Sequence, residues 1–541
     1  MSIVHLLSSC LLRIHLSLLP IILALSGSFV FDCTSRASEV TSKIDSIPSV
    51  SYITDSDITV LVDELNSYVK KYNQKTTPIS LLTALKKTLD FNPNLLAYRQ
   101  QILAQYYQFK DYQSTWYPSI SAYSYSSPFY GKSYISGSSG STSTTKFKPS
   151  GEPIEDQTNS DTTSSTLTQF APGISLTWDF FDLSRQPLIE SGFQSLKQQQ
   201  YLYAATVRDQ LLSVQQSYYN LQGSSLIIQY YFPLYENLLK QYSILKEQFS
   251  SGLIDIVTLS QTRSQLYLTL NQLIGFYNDL FDSSFNLSSN IGTSPDILFT
   301  PNSKLTRTGI WNLSLKNSLI SAEKSREEIS AAMSAVKASK KFSRYYLAQY
   351  LPIFSLYGSY SINNNWGNSS SKNYYSQGSP LEYSSTTSTP NTYNTAEIAA
   401  IGLTFSWSIF DGGSNYLNSK RQDALAEQNL AYADGQKLLV AQQVRSAFST
   451  YQTTNLQEQL ASNAFKSAKT ASDASLFRFN AGVSDITTYI QTIQLFTNAA
   501  TSYVQALTDY NISVAQLYRY TSVFPDKIAS INEEDLYFIA H

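Results

Sequence analysis

Reactive side chains are scarce in this chain. Its 541 residues include only two cysteines, three histidines and two methionines. The N-terminus reads as an export signal, because Arg13 precedes the apolar run 16–31 and Ser35-Arg36-Ala37 offers small residues for cleavage. Residues 1–37 are therefore expected to be a signal peptide; the run is short for the ~20 residues of a membrane-spanning helix. Leu7-Ser8-Ser9-Cys10 loosely resembles a lipoprotein box, but it precedes the apolar core and is discounted. Cleavage after Ala37 would remove Cys10, Cys33, His5 and His15, leaving His541 alone. Disulfides, thiol nucleophiles and Cys/His metal centres would then be excluded, and a Ser-His-Asp arrangement nearly so. Carboxylate pairs occur, but none sits in a recognisable catalytic phrase. No catalytic residue, cofactor or metal site is expected. Charge is scarce too, at 14% against roughly 25% in a typical soluble domain. The net charge of −2 gives no footprint for nucleic acid.

What is present is repetition. QFSSGLIDIVTLSQTRSQLY (248–267) and RFNAGVSDITTYIQTIQLF (478–496) share one plan at a shift of about 230 residues. Phe249 answers Phe479, Gly252 answers Gly482, Asp255 answers Asp485 and Gln261 answers Gln491. GISLTWDFFD (173–182) likewise matches GLTFSWSIFD (402–411), and VQQSYYNLQ (214–222) matches VRSAFSTYQ (444–452). Pro118 and Pro352 each precede a further matching stretch. Four landmarks in conserved order mark two domain-sized copies, assigned to 78–300 and 301–522. An N-terminal extension, 38–77, and a C-terminal tail, 523–541, flank them without motifs.

The long spacers in each copy have helical text. Residues 413–480 contain no proline, and as one helix they would extend ~100 Å. Val207, Leu211, Val214, Tyr218 and Leu221 alternate steps of four and three, as do Ala441, Val444, Phe448 and Tyr451, the pattern of coiled-coil packing. Pro233 is expected to kink or interrupt the first copy. At Gly252 and Gly482 the chain is expected to turn tightly and return as a second helix. Glycine suits a left-handed helix C-terminus, and Asp255 and Asp485 suit the next N-terminus.

Strand text differs. Ile174, Leu176, Trp178 and Phe180 alternate with Ser175, Thr177 and Asp179, and Ile401, Leu403, Phe405, Trp407 and Ile409 repeat the pattern. Strands are expected near 118–126, 171–181, 352–362 and 399–410, each long enough to cross a bilayer at a tilt. Trp178, Phe180, Phe405 and Trp407 would supply membrane-strand aromatics. The Ser/Thr/Gly/Asn-rich tracts 127–170 and 363–397 are expected to be external loops. Four strands cannot close a barrel, and lipid does not tolerate open edges, so the chain must oligomerise.

These features resemble the TolC family of outer-membrane efflux proteins across residues 78–522. SLLTALKKTLDFNPNLLAYRQQ (80–101), the W-x-x-F-D phrases at Trp178 and Trp407, and F-x-x-G with a downstream Gln carry the resemblance. It implies a mainly α, mixed fold: a homotrimer whose protomers give four strands each to a 12-stranded barrel, continued by an α-helical periplasmic tunnel. It also implies a passive exit duct for small molecules or proteins, in a tripartite efflux or type I secretion system. Its partners would be outer-membrane lipid, a periplasmic adaptor and an inner-membrane transporter. Gly252, Leu253, Ile254, Gly482, Val483 and Ser484 would form the tips that the adaptor contacts. Aspartates that ring the closed aperture in well-known members are replaced here by Thr488 and Gln491, with Thr258 and Gln261 in the first copy. A polar constriction, or charge from Asp255 and Asp485, would stand in their place. Metal-selective efflux has little support, because Met333 is the only methionine expected after processing. The alternative is a structural or adhesive coiled-coil protein of the outer membrane without transport.

Overall fold

The computed structural model describes residues 76–126, 131–137, 157–294, 296–377 and 381–523, plus isolated positions between 60 and 70. The expected signal peptide, nearly all of the extension 38–77, the tail beyond 523 and the segments 127–130, 138–156 and 378–380 lie outside the described residues. The chain divides into units 1–75 and 76–541, and the architecture below belongs to the second. Its elements run β1 (Thr76–Ile79), α1 (Leu81–Phe91), α2 (Pro93–Ser114), β2 (Ser119–Ser126), β3 (Gly131–Gly137), β4 (Gln157–Phe181), α3 (Arg185–Ser250) and α4 (Ile256–Ile291). The second copy follows with β5 (Leu298–Pro301), α5 (Leu315–Ser325), α6 (Glu327–Ala348), β6 (Ile353–Gln377), β7 (Leu381–Ser406), α7 (Ser414–Asn480) and α8 (Ile486–Thr521).

Two helices dominate. α3 has 66 residues and α7 has 67, each ~100 Å long. Their partners α4 and α8 pack back against them as hairpins. The four-and-three pattern of α3 becomes its core, since Val207, Leu211, Val214, Tyr218 and Leu221 are all buried. On α7, Val444 and Tyr451 are buried while Ala441 and Phe448 are half-buried. Gly223 lets α3 approach α8 closely: a Cβ there would lie 2.7 Å from Thr508 Oγ1. Among the described residues, no helix is long and apolar enough to cross a membrane.

Of the kink or interruption expected at Pro233, the interruption does not occur, because α3 runs through it. Proline removes the hydrogen bond to the carbonyl of Gln229, but both Gln229 and Pro233 lie on the exposed face. Water can satisfy that carbonyl there. The parallel pairing of β1 with β5 (Thr76↔Leu298 to Ile79↔Pro301) was not anticipated from sequence. It places the expected boundary at 300/301 inside a strand.

The larger sheet is antiparallel, in the order β2-β4-β6-β7, with β3 pairing further along β4. Two expectations need correction here. First, much of the tracts 127–170 and 363–397 is strand rather than loop: β4 begins at Gln157, β6 continues to Gln377 and β7 begins at Leu381. A ladder satisfies its own backbone groups and needs no apolar core, so polar composition does not forbid it. Second, β7 stops at Ser406 rather than near 410. The indole of Trp407 instead donates to the carbonyl of Tyr350 at 2.9 Å, and Gly412 and Gly413 turn the chain with φ of 70° and 84°.

Candidate functional site

At one end of the long hairpins the two copies fold alike. Gly252 and Gly482 each hold φ at 70°. The N–H of Leu253 donates to Gln248 O at 2.9 Å, and that of Val483 to Arg478 O at 3.0 Å. These are the bonds that close a helix whose last residue turns left-handed. A Cβ added at either glycine would meet nothing within 4 Å, so backbone conformation rather than crowding calls for glycine. Leu253 and Val483 are 74% and 69% exposed at the tips, while Ile254 and Ser484 are half-buried.

Beyond each turn an aspartate opens the returning helix. Asp255 Oδ1 accepts from the Thr258 N–H at 3.1 Å. Asp485 Oδ1 accepts from the N–H and the hydroxyl of Thr488, at 3.0 and 2.6 Å. These threonine hydrogen bonds hold both carboxyls below the usual aspartate value. Both aspartates therefore act as helix caps. Gln261 meets the second copy, where the Thr487 hydroxyl donates to its Oε1 at 3.4 Å. Further along, Gln494 donates to Gln265 at 3.1 Å and Gln241 to Asn480 at 3.1 Å. Neutral amides and hydroxyls thus link the two hairpins near their tips; Gln491 is exposed and Thr258 half-buried. Thr487, Gln265, Gln494, Gln241 and Asn480 escaped the sequence reading, since nothing in their local spacing distinguishes them.

At the opposite end stands the sheet. Directly opposed residues share a face, and the register aligns Ile120, Leu176, Gly358 and Ile401, then Trp178, Leu356 and Leu403. Phe181, Phe354 and Phe405 form a further row, with ring centroids 5.7 and 5.1 Å apart. Ser121, Ser175 and Ser359 align on the other face, where Ser121 and Ser175 hydroxyls lie 2.8 Å apart. One face is apolar and exposed, with Ile401 and Leu403 at 81% and 74%. The other is rich in hydroxyls. β2 and β7 each pair on one side only, so the sheet has two open edges.

The W-x-x-F-D phrases join sheet to helix in both copies. Trp178 Nε1 donates to Trp116 O at 3.0 Å, as Trp407 does to Tyr350 O. Asp182 Oδ1 accepts the Ser184 N–H at 2.8 Å, and Asp411 accepts those of Gly413 and Asn415 at 2.9 and 2.8 Å. Each aspartate starts the next long helix. Phe180 and Phe405 lie on the strands themselves, whereas Trp407 sits just past one.

Between the two ends lies a charged knot that sequence alone did not reveal. Arg519 of α8 pairs with Asp209 of α3 at 2.7 Å and with Glu328 of α6 at 2.6 Å. Arg326 holds the same Glu328 at 2.8 Å, and Arg208 pairs with Glu327 at 2.6 Å. Burial works to raise the Glu328 carboxyl. The charge of Arg519 and the hydrogen bond and charge of Arg326 outweigh it, bringing the value down to about 2. Among the described residues, no cluster of three or more His, Cys, Asp or Glu could hold a metal ion.

The sequence profile of the outer membrane efflux protein family matches residues 84–293 and 319–522. The chain belongs to that family. This efflux protein accordingly resides in the outer membrane and extends into the periplasm. Among curated proteins, no sequence relative matches. Solved structures share the fold. The Campylobacter jejuni CmeC outer membrane channel is 17% identical, with a TM-score of 0.59 over 84% of this chain and 89% of that one. The open-state Neisseria gonorrhoeae MtrE channel is 14% identical, with a TM-score of 0.57 over 83% and 94%. The Vibrio cholerae outer membrane protein VceC is 13% identical, at 0.54 over 82% and 95%.

Proposed function

We propose that three copies of this efflux protein close a 12-stranded barrel and form a passive exit duct, driven by an inner-membrane transporter through a periplasmic adaptor. The observation that carries this reading is the open-edged sheet. Its apolar face suits lipid and its hydroxyl face suits a water-filled lumen, but its free edges at β2 and β7 need partners before it can sit in a bilayer. Four strands per copy give twelve in a trimer, above the roughly eight that closure needs. The helical hairpins then span the periplasm, and the exposed tips at Gly252, Leu253, Ile254, Gly482, Val483 and Ser484 receive the adaptor.

The constriction on this reading is formed by neutral polar groups. Asp255 and Asp485 cap their helices and carry their charge at the tips, bound to Thr258 and Thr488, and we assign the constriction to Thr258, Gln261, Thr488 and Gln491. Separation of neutral links such as Thr487 to Gln261 requires no ion pair to break, so adaptor contact can bias a closed state towards an open one. Single-channel recording of the purified protein in a planar bilayer tests the duct. Discrete ion-conducting steps are expected; electrically silent, fully inserted protein would instead favour a structural or adhesive role. Tripartite efflux and type I secretion both remain served by such a duct, and crosslinked purification of the inner-membrane partner separates them.

A further inference from the structure

The strands are longer than a bilayer requires. β4 and β6 have 25 residues each and β7 has 26, whereas a tilted membrane strand needs about 9–11. The register shows where the lipid-facing part ends. On the apolar face, the inner aromatic row is Phe181, Phe354 and Phe405. An outer set lies at Phe170, Trp366 and Tyr393, with Trp366 directly opposite Tyr393. All three outer rings are exposed, at 43%, 43% and 69%. From Phe354 to Trp366 the strand rises ~40 Å, or ~28 Å along the membrane normal at a tilt of ~45°, close to the ~25 Å between two aromatic girdles; Asn364, Thr395 and Glu397 share this face just below the outer rings.

Past the outer girdle the ladder continues but its chemistry changes. Before Phe170 the β4 strand reads QTNSDTTSSTLTQ (157–169), rich in Ser and Thr. Pairing there is unbroken from Gln157↔Gln377 to Phe170↔Asn364, while β3 pairs Gly131–Gly137 with 161–167 and β7 pairs 381–392 with β6. So polar a strand sequence does not suit hydrocarbon, and roughly 11 further residues of strand add ~25 Å of height at the same tilt.

We propose that the sheet continues above the outer leaflet as a closed, hydrophilic β-crown, so that the duct's mouth opens within the hydrated saccharide layer on the cell surface rather than at the lipid headgroups. This rests on the trimeric duct. In the crown, β3 presents one open edge and β7 the other, as β2 and β7 do in the membrane. Crown closure therefore repeats membrane-level closure between neighbouring copies.

Paired cysteines test the crown against the duct. One set combines each of positions 132, 134 and 136 on β3 with each of 384, 386 and 388 on β7. A second set combines Ile120→Cys or Ala122→Cys on β2 with Ala399→Cys or Ile401→Cys on β7. Both sets are expected to give covalent trimers on oxidation in whole cells. In parallel, Ser164→Cys and Ser370→Cys are expected to react on intact cells with a membrane-impermeant polyethylene-glycol maleimide. Ser250→Cys near a tip is expected to react only after the outer membrane is permeabilised. Crosslinking of the membrane set without the crown set overturns the closed crown and leaves the duct standing. Protection of positions 164 and 370 on intact cells overturns the crown's surface placement. Failure of both crosslinking sets removes the trimeric barrel and the crown with it.

Discussion

Gly252 and Gly482 carry the tips through backbone conformation alone. With φ at 70° and no atom near a would-be Cβ, a side chain there meets only the local left-handed penalty, roughly 1–2 kcal/mol and larger for β-branched residues. Gly482→Val should therefore impair export while trimers still form, and Gly482→Asn, which tolerates the left-handed region, should be milder. Comparing drug resistance, or secretion, with adaptor capture in the two variants checks this; unaltered export and adaptor binding in Gly482→Val would remove the tip assignment. The charged knot makes a different prediction. The Glu328 carboxyl, lowered from 4.5 to about 2, contributes stability that is fully present above pH 4.5 and fades as the pH falls towards 2. The shift corresponds to roughly 3 kcal/mol. Glu328→Gln should lower the melting temperature at pH 7, and the gap between variant and parent should narrow in thermal melts near pH 3. A gap that stays constant with pH would show that Glu328 does not titrate in this way. The glycines were legible in sequence because turn chemistry is local. The knot was not, because Asp209, Arg326, Glu328 and Arg519 meet only after three distant helices pack.

Elements were read better where one periodicity ran long. The helix expected over 413–480 is Ser414–Asn480, and the buried line Val207 to Leu221 follows its four-and-three spacing. At Pro233 the helix is not interrupted, because a rule for helix interiors met an exposed face able to hydrate the freed carbonyl. If that account holds, Pro233→Ala restores the hydrogen bond to Gln229 and stabilises the protein, by up to about 3 kcal/mol. Circular-dichroism melts read this directly, and an unchanged or lower melting temperature would mean that the proline is required by its surroundings. Composition misled in the Ser/Thr-rich tracts. Their lack of apolar residues correctly excludes a packed core, yet a strand extending an existing ladder inherits its pairing partners and needs none. The β1–β5 pair was invisible for another reason: four residues give no period to detect.

For the whole molecule, one surface dictates the account. A single copy exposes the apolar face of its sheet, two strand edges, and a series of large apolar residues on α7, including Leu438, Leu456, Leu460 and Phe477 at 60–75% exposure. Lipid can cover the first of these, but not the edges, and water is a poor solvent for the third. In the proposed trimer, neighbouring copies would cover both at once, the edges in the barrel and the α7 residues between helical hairpins. The duplication was legible in the sequence, and four strands, too few to close, gave the expectation of partners. Composition does not set the number of copies, because edge geometry does. Native mass spectrometry of the detergent-solubilised, processed protein is the most direct test. The account predicts one dominant species with the mass of three chains, and a predominant single-chain mass would contradict it.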